Sequence, residues 1–457
     1  MRPSWKFDGL RSGCAWMCAA VLCALSGLSF AQDVPLVSGN YDVARKFFHG
    51  DAHVLLLGDS IQNGMIGVYP KVWEVDKWVG QVVGPNLNST FAGNTGAFGL
   101  IFNNPKPAFV NTNLTHLPDA PPAGLAGFAP GAVQHVTFNA VEAPPGGILD
   151  NRFLSYGLAA GQEQIYFPGK WADRADGRIY VDALLYGNPQ GIESGAQLDM
   201  RVNSQTAAAL TIPLNARSEE GRIVKLSGSF PAQPWNPGTG ISGEFRLAPG
   251  TTPQAGSNLP LLGMRIHTGE QGFQLANIAW GGKGIDYYVD PANTTDQNLS
   301  DYIAGTDSNM ALIWLGQNDT GKYQPAQWKQ RMEQLIARYK TARPDMDFIL
   351  VSTYDTGSPI LAGYSQALHE IAQSDPDVLF LNLHEAAGDF AFLNGNYLSD
   401  GVHPSVAGLT YFAEKTQELL ELAESRVPEP GGILVMVATI WAVGRRRSRV
   451  SRLTRGV

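Results

Sequence analysis

Four short, unbroken apolar runs constrain this chain more than any other feature. Val54-Leu55-Leu56-Leu57, Met310 to Leu315, Phe348-Ile349-Leu350-Val351 and Val378-Leu379-Phe380-Leu381 carry no polar residue that could face water. A strand apolar on both sides needs cover on both, as in a parallel sheet between two layers of helices. Helical periods fall between the runs. Met332, Leu335, Ile336 and Tyr339 share one face of a helix from about Ala326 to Thr341. A second helix is expected from about Pro359 to Gln373, and a last one from about Pro404 to Ala423, with Pro404 tolerated in its first turn. A further strand is read over Gly272 to Ala279. This alternation predicts an α/β fold with a doubly wound, mostly parallel sheet.

The first run is isolated from the others. From about Gly96 to Gly263 the chain is rich in Gly, Pro, Asn and Ser, and short segments alternate apolar and polar residues, such as Arg178 to Tyr186, Gln197 to Val202 and Arg222 to Leu226. Short alternating strands with turn signals between them predict an antiparallel β-sandwich. The expected organisation is therefore an α/β domain in two parts, 32–95 and 266–426, interrupted by a β-rich module at 96–265.

The two ends read differently from the body. Residues 1–31 hold Arg2, Lys6 and Arg11, an apolar run from Ala15 to Phe30, and the small residues Ser29 and Ala31 at a cleavage position, the layout of a secretory signal peptide. Cys14, Cys18 and Cys23 all lie there, which leaves the remaining chain without a cysteine for a disulfide, a thiolate metal site or a nucleophile. Val427-Pro428-Glu429-Pro430 opens the other end, followed by an apolar stretch from Gly431 to Gly444 and six arginines. That tail, 427–457, resembles the PEP-CTERM sorting signal, which implies export, an exosortase-type processing enzyme and transient membrane anchoring; an ordinary membrane tether is the alternative. Setting aside three basic and one acidic residue in 1–31, and six and one from Pro428 on, 24 Lys+Arg face 39 Asp+Glu, a net charge of −15. So acidic a body is unsuited to nucleic acid, whose phosphates require clustered Lys and Arg.

Chemistry-bearing residues collect where strands end. Gly58-Asp59-Ser60 puts a serine after the first apolar run, at the edge where ligands gather in open α/β sheets. Asp400-Gly401-Val402-His403 precedes the last helix; a serine needs a neighbouring base held by a third group, and Asp400 can reach the imidazole across the turn. Gly316-Gln317-Asn318-Asp319 follows a second run and offers the Asn318 amide to an oxyanion, while Trp280-Gly281-Gly282-Lys283-Gly284 offers backbone N–H groups. This order of Ser, Gly, Asn and His resembles the SGNH hydrolases (GDSL esterases/lipases). Ser60, Asn318, Asp400 and His403 match the family's blocks over residues 51–95 and 266–424; Gly282 fits the glycine block best, with Gly281 and Gly284 still open. More than 200 residues separate Ser60 from Gly282, where compact members have a few tens. The resemblance implies a flavodoxin-like fold, a Ser60–His403–Asp400 triad, an oxyanion hole of Ser60, Gly282 and Asn318, and no cofactor or metal.

The function expected on this basis is hydrolysis of small acyl esters, acetyl above all, on a carbohydrate or exopolysaccharide. Trp171, Tyr180, Tyr186 and Trp235 in the β module could stack on sugar rings, although scattered aromatics are more often core. The alternatives are a lipase or general carboxylesterase, and an inactive surface carbohydrate-binding protein. His49, His53, His116, His135, His267, His369 and His384 show no i, i+4 ligand pair and read as core or capping residues.

Overall fold

A computed structural model describes residues 34–49, 52–59, 61, strand segments between 96 and 267, 274–279 and 282–427. Seven strands form the main sheet: β1 (Val37–Gly39), β2 (His53–Gly58), β3 (Gly96–Phe98), β4 (Gln274–Asn277), β5 (Met310–Trp314), β6 (Asp347–Val351) and β7 (Val378–Leu381), in the spatial order β1-β7-β6-β5-β2-β4-β3. Every pairing is parallel except that of the edge strand β1 with β7. All four apolar runs are strands of this sheet, and β2, β5, β6 and β7 are buried along their whole length.

Eight helices accompany the sheet among the described residues: α1 (Asp42–His49), α2 (Ile285–Val289), α3 (Asp296–Thr306), α4 (Pro325–Ala342), α5 (Ile360–Ser374), α6 (Leu383–Ala386), α7 (Phe390–Asn396) and α8 (Val406–Glu424). On one face, Val43, Phe47 and Phe48 of α1 and Phe412, Leu419 and Leu420 of α8 share a core with Val54 and Leu56 of β2, Leu312 and Trp314 of β5, and Ile349 of β6. Alternate strand residues point the other way, and the buried Trp328, Met332, Leu335, Ile336 and Tyr339 of α4 lie beside α2, α3 and α5. The sheet is doubly wound, as its apolar strands require. Helix α4 begins one residue before the expected Ala326 and α5 one residue after Pro359. In α8 the first helical residue is Val406, with Ser405 accepting the Gly408 amide as its cap. Pro404, expected in that first turn, instead bridges Leu398 outside the helix.

Between β3 and β4 the described residues build a two-stranded antiparallel sheet, Leu100–Ile101 with Phe109–Val110, and two larger antiparallel sheets. One holds the strands Leu210–Pro213, Ala196–Val202, Gly240–Leu247 and Glu163–Pro168; the other holds Ile223–Pro231, Arg178–Tyr186, Leu259–His267, Leu154–Tyr156 and Val136–Thr137. They meet where Gly228 faces Leu210 and Ile212, whose side chains approach too closely to leave space for a Cβ. Gly96–Phe98, read from sequence as the start of the β module, pairs with β4 in the main sheet. Arg222 clasps Asp301 of α3 with two hydrogen bonds, and Leu184 fills the space left by Gly305 of the same helix. Of the four aromatics singled out above, Trp171 and Trp235 lie outside the described residues, and Tyr180 is half-buried. No described helix is long and apolar enough to cross a membrane; residues 1–33 and 428–457 lie outside the described part.

Candidate active site

Three of the expected site segments follow the carboxyl ends of three adjacent strands, with β2 in the middle, β5 on one side and β4 on the other, and the fourth precedes α8. After β2, Asp59 is buried and its carboxylate accepts the Ile61 amide at 2.8 Å. Ser60, the expected nucleophile, lies outside the described residues. The Tyr288 hydroxyl of α2 lies 2.6 Å from the Gly58 carbonyl and 3.0 Å from that of Ile278, so one buried side chain ties together the ends of β2 and β4.

Past β4, Gly282 adopts φ +75°, a region that favours glycine, is exposed, and would meet nothing with an added Cβ. Gly284 is a different kind of glycine: a Cβ there would sit 2.0 Å from the Asp319 carboxylate. Gly281 lies outside the described residues. Past β5, Gly316 (φ +134°) turns the chain into one 3₁₀ turn, Gln317–Asp319. Asn318 donates from its amide nitrogen to the Lys283 carbonyl at 3.0 Å, and an amide has a second N–H to offer an oxyanion. Asn318 and the Gly282 loop are thus brought into contact.

His403, the expected base, lies in a tight loop before α8. The Leu398–Pro404 bridge, the Ser399 amide on the His403 carbonyl (2.8 Å) and the Ser405 amide on the Tyr397 carbonyl (2.7 Å) close it, and Gly401 takes φ +85° at its tip. Asp400 Oδ1 accepts the backbone amides of Val402 (3.0 Å) and His403 (2.7 Å), while Oδ2 lies 2.7 Å from His403 Nδ1. Partial burial pushes the Asp400 carboxyl up, but the His403 amide, its imidazole and the Val402 amide outweigh that and hold it at about 2. The carboxylate therefore stays ionised through neutral pH and faces Nδ1, with Nε2 the ring's other nitrogen. Tyr354, buried and stacked on Phe412 with ring centroids 4.0 Å apart, donates its hydroxyl to the Val402 carbonyl at 2.5 Å.

Residues 249–416 match the family model for GDSL-like lipases/acylhydrolases. The chain carries a GDSL-like acylhydrolase domain. The match spans Gly282, Asn318, Asp400 and His403, and Ser60 precedes it. It assigns the domain to the carboxylic-ester hydrolases. A solved peptidoglycan O-acetylesterase shares the fold of this chain, with a TM-score of 0.51 at 14% identity over 86% of this chain and all of the other. A family 3 carbohydrate esterase from Talaromyces cellulolyticus aligns with 40% of this chain and 80% of its own, at 17% identity and a TM-score of 0.28. No curated protein matches the chain.

Four other histidines make contacts elsewhere in the described residues. His369 Nδ1 lies 2.7 Å from the Ser38 hydroxyl, His53 Nδ1 2.9 Å from the Asp307 carbonyl, His384 Nδ1 3.2 Å from the Thr353 carbonyl, and His49 pairs with Glu424 at 2.5 Å. Sequence reasoning overlooked Asp59, Asp319, Trp328 and Tyr354. The first two are inside quoted motifs, Gly-Asp-Ser and Gly-Gln-Asn-Asp, yet their burial and partners come only from the fold.

Proposed function

We propose that the chain is an exported serine esterase that removes small acyl groups, acetyl above all, from a carbohydrate or exopolysaccharide. The observation that carries this reading is the Asp400–His403 pair, a 2.7 Å contact between an ionised carboxylate and Nδ1 of an imidazole in the acylhydrolase domain. In the proposed cycle Ser60 Oγ attacks the ester carbonyl carbon while His403 Nε2 takes the hydroxyl proton. The imidazolium so formed is steadied by Asp400. The tetrahedral oxyanion takes hydrogen bonds from the Asn318 amide and the backbone N–H groups of Gly282 and Ser60. Collapse breaks the ester C–O bond, and the departing alcohol takes its proton from His403. Water, deprotonated by the same imidazole, then attacks the acyl-enzyme and releases the carboxylic acid and free Ser60. No metal enters any step.

Three things support the carbohydrate side of the proposal: a neighbour of the same fold that is a peptidoglycan O-acetylesterase, the β-rich module, proposed to be a sandwich, and the resemblance of 427–457 to an export and sorting signal. The signal-like segment 1–31 supports export. The test is substrate choice. Acetate release from O-acetylated polysaccharide should exceed hydrolysis of esters with acyl chains of eight or more carbons. Preference for the long chains would instead make the protein a lipase, and binding without turnover of any ester would make it a carbohydrate-binding protein.

A further inference from the structure

Asn318 and Gly282 belong to different loops, 36 positions apart, and an oxyanion hole works only if its donors are held to within about half an ångström of the productive geometry. Two adjacent residues clamp the loops together. Asn318 donates to the Lys283 carbonyl, and Asp319 accepts the Ile285 amide on both carboxylate oxygens, at 3.1 and 3.2 Å. Gly284, between the two clamped residues, lies so close to the carboxylate that no side chain fits.

Asp319 is itself immobilised. It is fully buried, and Oδ2 also accepts the indole N–H of Trp328 at 3.1 Å. That indole stacks on Tyr364 with ring centroids 4.5 Å apart, and the Tyr364 hydroxyl donates to the Asp319 carbonyl at 2.9 Å. Burial pushes the carboxyl up against the lowering effect of the Trp328 and Ile285 donors. A buried acid that merely stabilised the fold could direct its bonds anywhere in the core. This one joins the turn that carries Asn318 to the segment that follows Gly282.

We infer that Asp319 is a positioning residue that sets the Asn318 amide and the Gly282 loop at a fixed separation, and so acts on catalysis through the oxyanion hole. The inference rests on the reading of Asn318 and Gly282 as oxyanion donors. Asp319→Asn replaces one acceptor oxygen with an N–H₂ that must face the Ile285 or Trp328 donor, which opens the clamp at nearly constant volume. Trp328→Phe removes a single donor, keeps a ring against Tyr364, and serves where Asp319→Asn folds poorly.

The test is a double-mutant cycle on p-nitrophenyl acetate with the full chain: wild type, Asn318→Ala, Asp319→Asn and the double variant, then the same cycle with Trp328→Phe. Asn318→Ala should lower kcat by about 10² to 10³. Asp319→Asn should lower kcat by roughly tenfold or more with KM changed less than about twofold, the mark of an interaction made in the transition state. In the Asn318→Ala background the same change should cost less than about threefold. If the full loss is repeated there, Asp319 does not act through Asn318 and the inference is overturned, while the reading of Asn318 stands. If Asn318→Ala alone costs less than about threefold, the oxyanion reading falls, and the inference with it.

Discussion

At the scale of single residues, the acid beside the expected nucleophile has consequences that can be measured without any substrate. Asp59 is buried, its carboxyl pushed up to about 7 by loss of solvent and by the nearby Asp319 carboxylate, against the lowering effect of the Ile61 amide. Between about pH 4 and 7 the folded chain keeps this proton and the unfolded chain releases it. Stability therefore falls as pH rises through that window, by on the order of 4 kcal/mol, and levels off above it. Asp59→Asn keeps an oxygen for the Ile61 amide and removes the ionisation. The melting temperature of the variant should accordingly gain on wild type as pH is raised from 4.5 to 7.5. Melting curves that move in parallel across that range would show that Asp59 ionises normally in the fold.

At the scale of elements, the base loop depends on how closely α8 approaches the segment before it. A Cβ on Gly408 would sit 2.0 Å from the Tyr397 carbonyl oxygen and 3.3 Å from Pro404 Cβ, so Gly408→Ala must push α8 away from the loop that carries Asp400 and His403. Overpacking of this kind costs about 1–3 kcal/mol, and esterase activity should fall further than the lost stability explains, because the displaced residues are the proposed base and its partner. Thermal melts and kcat on one preparation check this; unchanged activity would show that the loop does not depend on the seating of α8. The elements legible in the sequence were those with a strong one-dimensional signal. β2, β5, β6 and β7 are apolar on both faces, and α4 and α5 hold their period for several turns. β1 is three residues long and antiparallel, and Gly96–Phe98 has the composition of the module beside it; neither has a pattern of its own. Asp400 and His403 were legible because they lie only three positions apart. Asp319 was not, since its partners Ile285 and Trp328 meet it only after the sheet brings β4 and β5 to either side of β2.

At the scale of the whole molecule, the sheet explains why the site survives a long interruption. β2 and β4 are neighbours in the sheet, so whatever is inserted between them leaves the ends of β4, β2 and β5 together. Contact between module and sheet domain includes α3, where Asp301 receives two nitrogens of Arg222 and Gly305 makes room for Leu184, and the approach of the strand Leu259–His267 to β3. The module is thereby tied to the domain whose strand ends carry the proposed site. Nucleophilic catalysis by Ser60 is tested by p-nitrophenyl acetate hydrolysis by wild type and Ser60→Ala, with a chelator in both. Wild type should show chelator-resistant turnover that falls by at least about 10³-fold in the variant. Turnover that survives Ser60→Ala, or that the chelator abolishes in wild type, would contradict catalysis by Ser60.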